Sequence, residues 1–174
     1  MKLVLGIVAA LMLLLPVVSA DYLYLYPQSN TSYSEWTPKG CSLNYQCVDE
    51  NPINTNDFVY TPYDDELDVY DFSFGAGGFS GTINSVRVEY YAKRYSDTHK
   101  HVNFTLVNWG SKVESVKVML GSSYTTHYFT HYINPVTSSA WTWFDLQSLG
   151  AGVRSISEGG GFVARTRIRV FYTP

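Results

Sequence analysis

Residues 82–94 read Thr82-Ile83-Asn84-Ser85-Val86-Arg87-Val88-Glu89-Tyr90-Tyr91-Ala92-Lys93-Arg94, and this stretch decides the fold. Val86, Val88, Tyr90 and Ala92 fall on one face; Ser85, Arg87, Glu89, Tyr91 and Lys93 fall on the other. A period of two is the pattern of a half-buried β-strand. β-Branched and aromatic residues dominate the stretch, and neither Pro nor Gly interrupts it. It reads as the central strand of one all-β domain, with shorter strand-like runs on both sides.

Upstream, Asp21–Pro27 sets Leu23 and Leu25 against Tyr22, Tyr24 and Tyr26, and Pro27 ends the run. Gln28–Thr37 reads as a polar loop carrying Trp36. Phe58–Thr61 and Leu67–Phe74 read as strands on either side of a Pro62–Asp65 turn, and Gly75–Gly78 with Gly81 as a flexible connection. Downstream, Val102–Trp109, Val113–Leu120 and Tyr124–Ile133 read as strands separated at Gly110 and Gly121. Trp141–Leu149 reads as a short strand leading into one helical turn capped by Gly150. In the last strand, Phe162–Thr173, Arg165, Arg167, Arg169 and Phe171 oppose Ala164, Thr166, Ile168, Val170 and Tyr172. Short strands punctuated by turn signals about every 8–12 residues predict a single antiparallel β-sandwich, jelly-roll-like.

Residues 1–20 read as a signal peptide: Lys2, the apolar run Leu3–Leu15, Pro16, and the small residues of Val18-Ser19-Ala20 before Asp21. The apolar run is shorter than a spanning helix needs. The domain is therefore expected over 21–174, secreted or at the cell surface, with membrane contact only during export. Roughly 150 residues suffice for one proper core. The charged fraction is 16%, below the usual ~25%. Tyr (15 copies), Ser and Thr take its place, which suits an extracellular β-protein. A net charge of −3 gives no electrostatic case for nucleic acid.

Cys41 and Cys47 are the chain's two cysteines, and export permits a disulfide between them. Asn30-Thr31-Ser32 and Asn103-Phe104-Thr105 are acceptor sequons, so Asn30 and Asn103 are glycosylation candidates, with Asn103 expected to point outward.

The order and spacing of several short elements resemble a family of small exported or phage-associated β-sandwich domains of bacterial and archaeal surface proteins. The elements are Leu25-Tyr26-Pro27, Trp36, Val48–Pro52, Asp57–Tyr60, Thr82–Val88, Asn134-Pro135, Ala140–Thr142, Asp145-Leu146, Gly152-Val153 and Val170–Pro174. The resemblance implies a jelly-roll-like component of a surface or particle and no catalytic residues; the Cys pair lies outside it. Tyr22, Leu23, Tyr24, Leu25 and Tyr26, placed directly after the leader, are also similar to the donated first strand of extracellular filament subunits.

Other chemistry is thinner. Asp64–Asp71, with Asp49 and Glu50, holds the hard oxygens that calcium takes, but lacks EF-hand spacing and reads first as a solvated turn and strand edge. His99 with His101, and His127 with His131, each alternate on a strand, with no further ligand beside them. No cofactor and no metal site are expected. A Gly-x-Ser-x-Gly motif is absent, and nothing singles out Glu89, Glu114 or Asp145 as a catalytic pair. Trp36, Trp109, Trp141 and Trp143 exceed what one modest core needs and are candidates for stacking on sugar rings. The expectation is a non-enzymatic structural subunit whose partners are copies of itself or other surface proteins, assembled by strand donation. A carbohydrate-binding module that takes polysaccharide is the alternative.

Overall fold

Thr82–Arg94 is a strand over its whole length, and the rest of the domain is layered on it. The computed structural model describes residues 20–72, 74 and 79–174. The leader expected at 1–20, apart from its last residue, and the Gly75–Gly78 connection lie outside the described residues. The strands are β1 (Asp21–Leu25), β2 (Ser29–Ser34), β3 (Thr37–Lys39), β4 (Phe58–Thr61), β5 (Leu67–Asp71), β6 (Thr82–Arg94), β7 (His101–Asn108), β8 (Ser111–Glu114), β9 (Val118–Met119), β10 (Thr125–His131), β11 (Leu149–Ser155) and β12 (Gly161–Thr173). Among the described residues, no helix is long and apolar enough to cross a membrane.

Two antiparallel sheets pack face to face, giving the expected jelly-roll-like sandwich. The front sheet runs β10-β6-β12-β4-β3, and β1 also pairs with β12. The back sheet runs β2-β5-β11-β7-β8, and β9 also pairs with β7. The length of β12 lets one of its edges serve two strands: β4 pairs at Gly161–Val163 and β1 at Ile168–Tyr172. The period of two then assigns the core. Val86, Val88, Tyr90 and Ala92 from β6 and Ile168 and Val170 from β12 meet Phe104, Leu106, Leu149, Ala151 and Val153 of the back sheet, all buried. Each such side chain contributes about 1.5–3 kcal/mol on full burial. The rings of Tyr90 and Phe104 stack across the two sheets, 4.0 Å apart and 7° from parallel.

Several expected boundaries are corrected. Gln28–Thr37 is not a loop throughout, because β2 and the first residue of β3 fall within it. The run Val113–Leu120 is two short strands, interrupted where Ser115 accepts from the Phe104 N–H and donates to the Val116 carbonyl. No strand precedes the helical turn at Asp145–Ser148; a strand, β11, follows it instead. Gly152 in that strand is a packing glycine: a Cβ there would lie 1.9 Å from the Asp68 carbonyl.

The disulfide joins Cys41 and Cys47, with Cα atoms 5.5 Å apart. The segment expected to be donated to a neighbour completes its own sheet. Tyr22, Leu23, Tyr24 and Leu25 pair in register with Phe171, Val170, Arg169 and Ile168. Leu25 is buried and Leu23 packs against the core, so the free strand that a donation scheme requires is already used.

Candidate functional site

The four tryptophans separate into two classes. Trp36 is 2% exposed and Trp141 is 4% exposed, so both are core residues, which corrects their reading as stacking rings. Their indole N–H groups are spent on backbone, Trp36 on the Glu66 carbonyl and Trp141 on the His131 carbonyl. Trp143 is half-buried: it donates to the Gly81 carbonyl and packs on Phe79 (5.5 Å) and Tyr172 (5.3 Å), closing one end of the β6/β12 pair. Trp109 is 47% exposed.

Trp109 and Gly110 form the two-residue loop of the β7–β8 hairpin, since Asn108 pairs with Ser111. Both have positive φ, 50° and 76°, the geometry of a type I′ turn. Asn, Asp or Gly suits the first of these positions. A bulky side chain there pushes its Cβ against the backbone, a strain on the order of 1–3 kcal/mol.

The strained turn is anchored from below. Asn108 is wholly buried, and its amide donates to the Asp145 carbonyl (2.7 Å) and to Ser148 Oγ (3.2 Å). Its Oδ1 accepts from the buried Asn134 amide at 2.8 Å. Ser148 Oγ also accepts from the Trp109 backbone N–H at 3.2 Å. Three segments at one end of the sandwich are thereby locked together: the β7–β8 turn, the turn after β10, and the Asp145–Ser148 turn.

Asp145 fixes the indole itself. Its Oδ2 accepts from the Thr142 N–H and hydroxyl, both at 2.8 Å, while Thr142 Oγ1 accepts from the Asp145 N–H at 3.2 Å. This reciprocal pair is the capping-box arrangement. The remaining oxygen, Oδ1, accepts from Trp109 Nε1 at 3.3 Å. Phe144, 61% exposed, lies beside the indole with ring centroids 4.8 Å apart and planes 33° from parallel. Tyr132 and Ile133, both exposed, enter the same end just before Asn134. The result is an apolar, aromatic platform at the tip of the sandwich, held by buried polar groups.

Sequence reasoning passed over Phe144, Asn108 and the anchoring role of Asp145. The available signals were a Trp-Gly pair in a two-residue hairpin loop and the Thr142-x-x-Asp145 spacing.

The other candidates land elsewhere. Glu89 lies on the outer face of the front sheet, Glu114 on that of the back sheet, and Asp145 at the tip, so the three carboxylates do not converge. Asp64 accepts from the Gly159 N–H, Asp65 from Arg154, Glu66 from the Thr61 hydroxyl, and Asp68 from Asn44 and Tyr70. Among the described residues, no three His, Cys, Asp or Glu side chains form a group that could hold a metal. His127 helps line a groove of about 350 Å³ with Phe104, Val118 and Phe129, and burial lowers its pKa, as it does that of His131. Asn30 Oδ1 accepts from the Tyr45 N–H, and the Asn103 amide donates to Glu114 at 3.1 Å.

No protein family and no curated protein matches the chain. Among solved structures it is similar to the CBM22-1 xylan-binding domain from Paenibacillus barcinonensis Xyn10C, with 11% identity, TM-score 0.47, and coverage of 90% of this chain and 98% of that one. It is similar to CBM35 from Cellvibrio japonicus Abf62, with 12% identity, TM-score 0.41, and coverage of 86% and 93%. It is also similar to CBM51 from Clostridium perfringens GH95 in complex with methyl-galactose, with 15% identity, TM-score 0.34, and coverage of 85% and 99%. These are loose likenesses, and the architecture described above rests on the chain's own strand pairing.

Proposed function

We propose that the domain is a non-catalytic carbohydrate-binding module whose ligand stacks on Trp109 and Phe144. One observation carries the reading. A tryptophan occupies the strained first position of a type I′ turn, half exposed, with its indole held by a buried carboxylate. Folding has no need of that ring, since an Asn or Gly would make the same turn with less strain. Strain and exposure together point to a binding role.

The chemistry fits a pyranose. The C–H face of the sugar lies against the flat face of an aromatic ring, and removing water from both is favourable. Because Asp145 fixes the indole and Ser148 the backbone beneath it beforehand, little side-chain entropy is lost on binding. The reading places the mature protein outside the cell, where polysaccharide is met, in accord with the leader expected at 1–20.

Affinity electrophoresis against xylan, mixed-linkage β-glucan and galactomannan tests this. The wild type is expected to be retarded by at least one polymer, Trp109→Ala to run free, and Tyr63→Ala, an exposed ring elsewhere, to behave as wild type. Retardation by none of them, or unchanged retardation of Trp109→Ala, overturns the reading.

A further inference from the structure

The outer face of the front sheet carries a feature that the tip platform does not use. The register places Tyr24, Arg169, Arg87 and Thr130 side by side across β1, β12, β6 and β10. The next outward positions place Arg167 beside Glu89 and Tyr128, then Arg165 beside Tyr91 and Thr126. Lys93 and Phe162 follow on the same face, and Lys39 stands over Phe58 at its far edge. Lys39, Arg87, Lys93, Arg165, Arg167 and Arg169 thus share one face, and Glu89 is the carboxylate set among them. The chain as a whole carries −3, so this face is a local reversal of sign.

Glu89 neutralises only part of it. Its Oε2 lies 2.7 Å from Arg167 and its Oε1 lies 3.3 Å from Arg169. Arg165 is 8% exposed and, among the described residues, has no carboxylate within ion-pair distance. Burial and the neighbouring Arg167 lower its pKa. Arg87 is bound by the Thr130 hydroxyl and lies over the rings of Tyr128 (4.5 Å) and Phe171 (5.0 Å), again without an acidic partner among the described residues. Arg167 stacks on Tyr24 at 4.1 Å. Arg167 and Arg169 direct N–H groups at Glu89, whereas Arg87, restrained by its rings, spends Nε–H on Thr130 and keeps its terminal N–H groups for a ligand.

We propose that this face binds a uronate-bearing polysaccharide. A planar carboxylate matches the guanidinium fork, which donates two parallel hydrogen bonds in one plane to its two oxygens. The rings of Tyr24, Tyr128 and Phe171 between the cations offer apolar surface for the faces of the sugar units. Four adjacent strands span about 14 Å, room for several units of an extended polymer rather than one small ion. The net negative charge of the chain disfavours the long-range attraction on which nucleic-acid binding depends. This site is separate from Trp109 and does not rest on the reading of the tip.

The test titrates polygalacturonate oligomers, their methyl esters, dextran sulfate and single-stranded DNA into the full chain and into Arg87→Gln, Arg165→Gln and Trp109→Ala, with thermal melting of each. The expected result is binding of polygalacturonate that weakens with added salt, fails with the methyl ester, and is unchanged in Trp109→Ala. In Arg87→Gln and Arg165→Gln the Kd is expected to rise about tenfold. Equal binding of the methyl ester, tighter binding of dextran sulfate or DNA, or unaltered affinity in both Arg variants with native melting overturns the inference. Because Trp109→Ala is scored separately, failure here and failure of the tip platform are distinguishable.

Discussion

The hydroxyl of Tyr90 donates across the core to the Gly152 carbonyl, 2.8 Å away, and also approaches the Thr105 carbonyl at 3.1 Å. The interior strand β6 of the front sheet is thereby tied to β11, the middle strand of the back sheet, and to its neighbour β7. A buried hydroxyl without a partner is expensive, so this bond fixes the relative slide of the two sheets. Tyr90→Phe keeps the ring on Phe104 and loses only the tie. It is expected to destabilise by about 1–2 kcal/mol in urea unfolding, whereas Tyr90→Ala loses about 3–5 kcal/mol. Equal stability of Tyr90→Phe and wild type would show that the tie contributes nothing.

Asp68 is wholly buried on β5, accepting from the Asn44 amide at 2.9 and 3.0 Å and from the Tyr70 hydroxyl at 2.8 Å. Burial raises its pKa from 3.8 to about 7, against the hydrogen bonds that lower it. Between those values the folded chain holds a proton that the unfolded chain has released. Its contribution to stability is therefore complete below pH ~4 and is lost as pH rises through ~7. Asp68→Asn cannot titrate. Wild type is expected to lose stability relative to Asp68→Asn between pH 4 and pH 7, and to run parallel to it outside that window; parallel curves throughout would refute the assignment.

The anchor beneath the tip makes a separate claim about order. Asp145→Ala removes the capping pair with Thr142 and the acceptor of the Trp109 indole. A loss of about 1 kcal/mol in stability is expected. Merely structural damage would stop there. If Asp145 positions the ring, the Trp109 indole N–H signal should also move upfield and exchange faster with solvent, and Asp145→Asn should restore part of both. An unchanged Trp109 indole signal in Asp145→Ala would mean that the carboxylate does not hold it.

The turn geometry can be checked without any ligand. At the first position of a type I′ turn Asn is favoured over Ala. Trp109→Asn is expected to be more stable than Trp109→Ala by about 1 kcal/mol, with neither binding sugar. Equal stability would argue against a positive φ at residue 109.

Strict alternation was the legible part. Thr82–Arg94 carries side chains whose faces differ so clearly in polarity over Val86–Lys93 that the inward face follows from composition alone, and Phe58–Thr61 was legible as a strand. β2 and β11 escaped that reading because one is Ser, Thr and Asn apart from Tyr33, and the other contains Gly150 and Gly152. Tertiary approach explains β11: residue 152 is a glycine within a strand because Asp68 and Val69 leave no space for a side chain. The aromatic excess was legible too, but not its distribution. Apart from the Gly that follows Trp109 and marks its turn, nothing local distinguishes Trp36 and Trp141, which fill the core, from Trp109, which leaves it. The Arg row on β12 was visible in sequence, yet only the structure reveals that Glu89 pairs with two of its members and that, among the described residues, no carboxylate lies within ion-pair distance of Arg165.

The central claim concerns one ring, and its own N–H reports on it. In a ¹H–¹⁵N spectrum the four indole signals are separable, and the Trp109 signal is identified by its loss in Trp109→Phe. Titration with xylo-, cello-, manno- and galacto-oligosaccharides is then followed signal by signal. The account predicts a saturable shift of the Trp109 signal with at least one of these sugars, while the signals of the buried Trp36 and Trp141 stay in place. A Trp109 signal that stays fixed with all four, or shifts confined to other tryptophans, would contradict it.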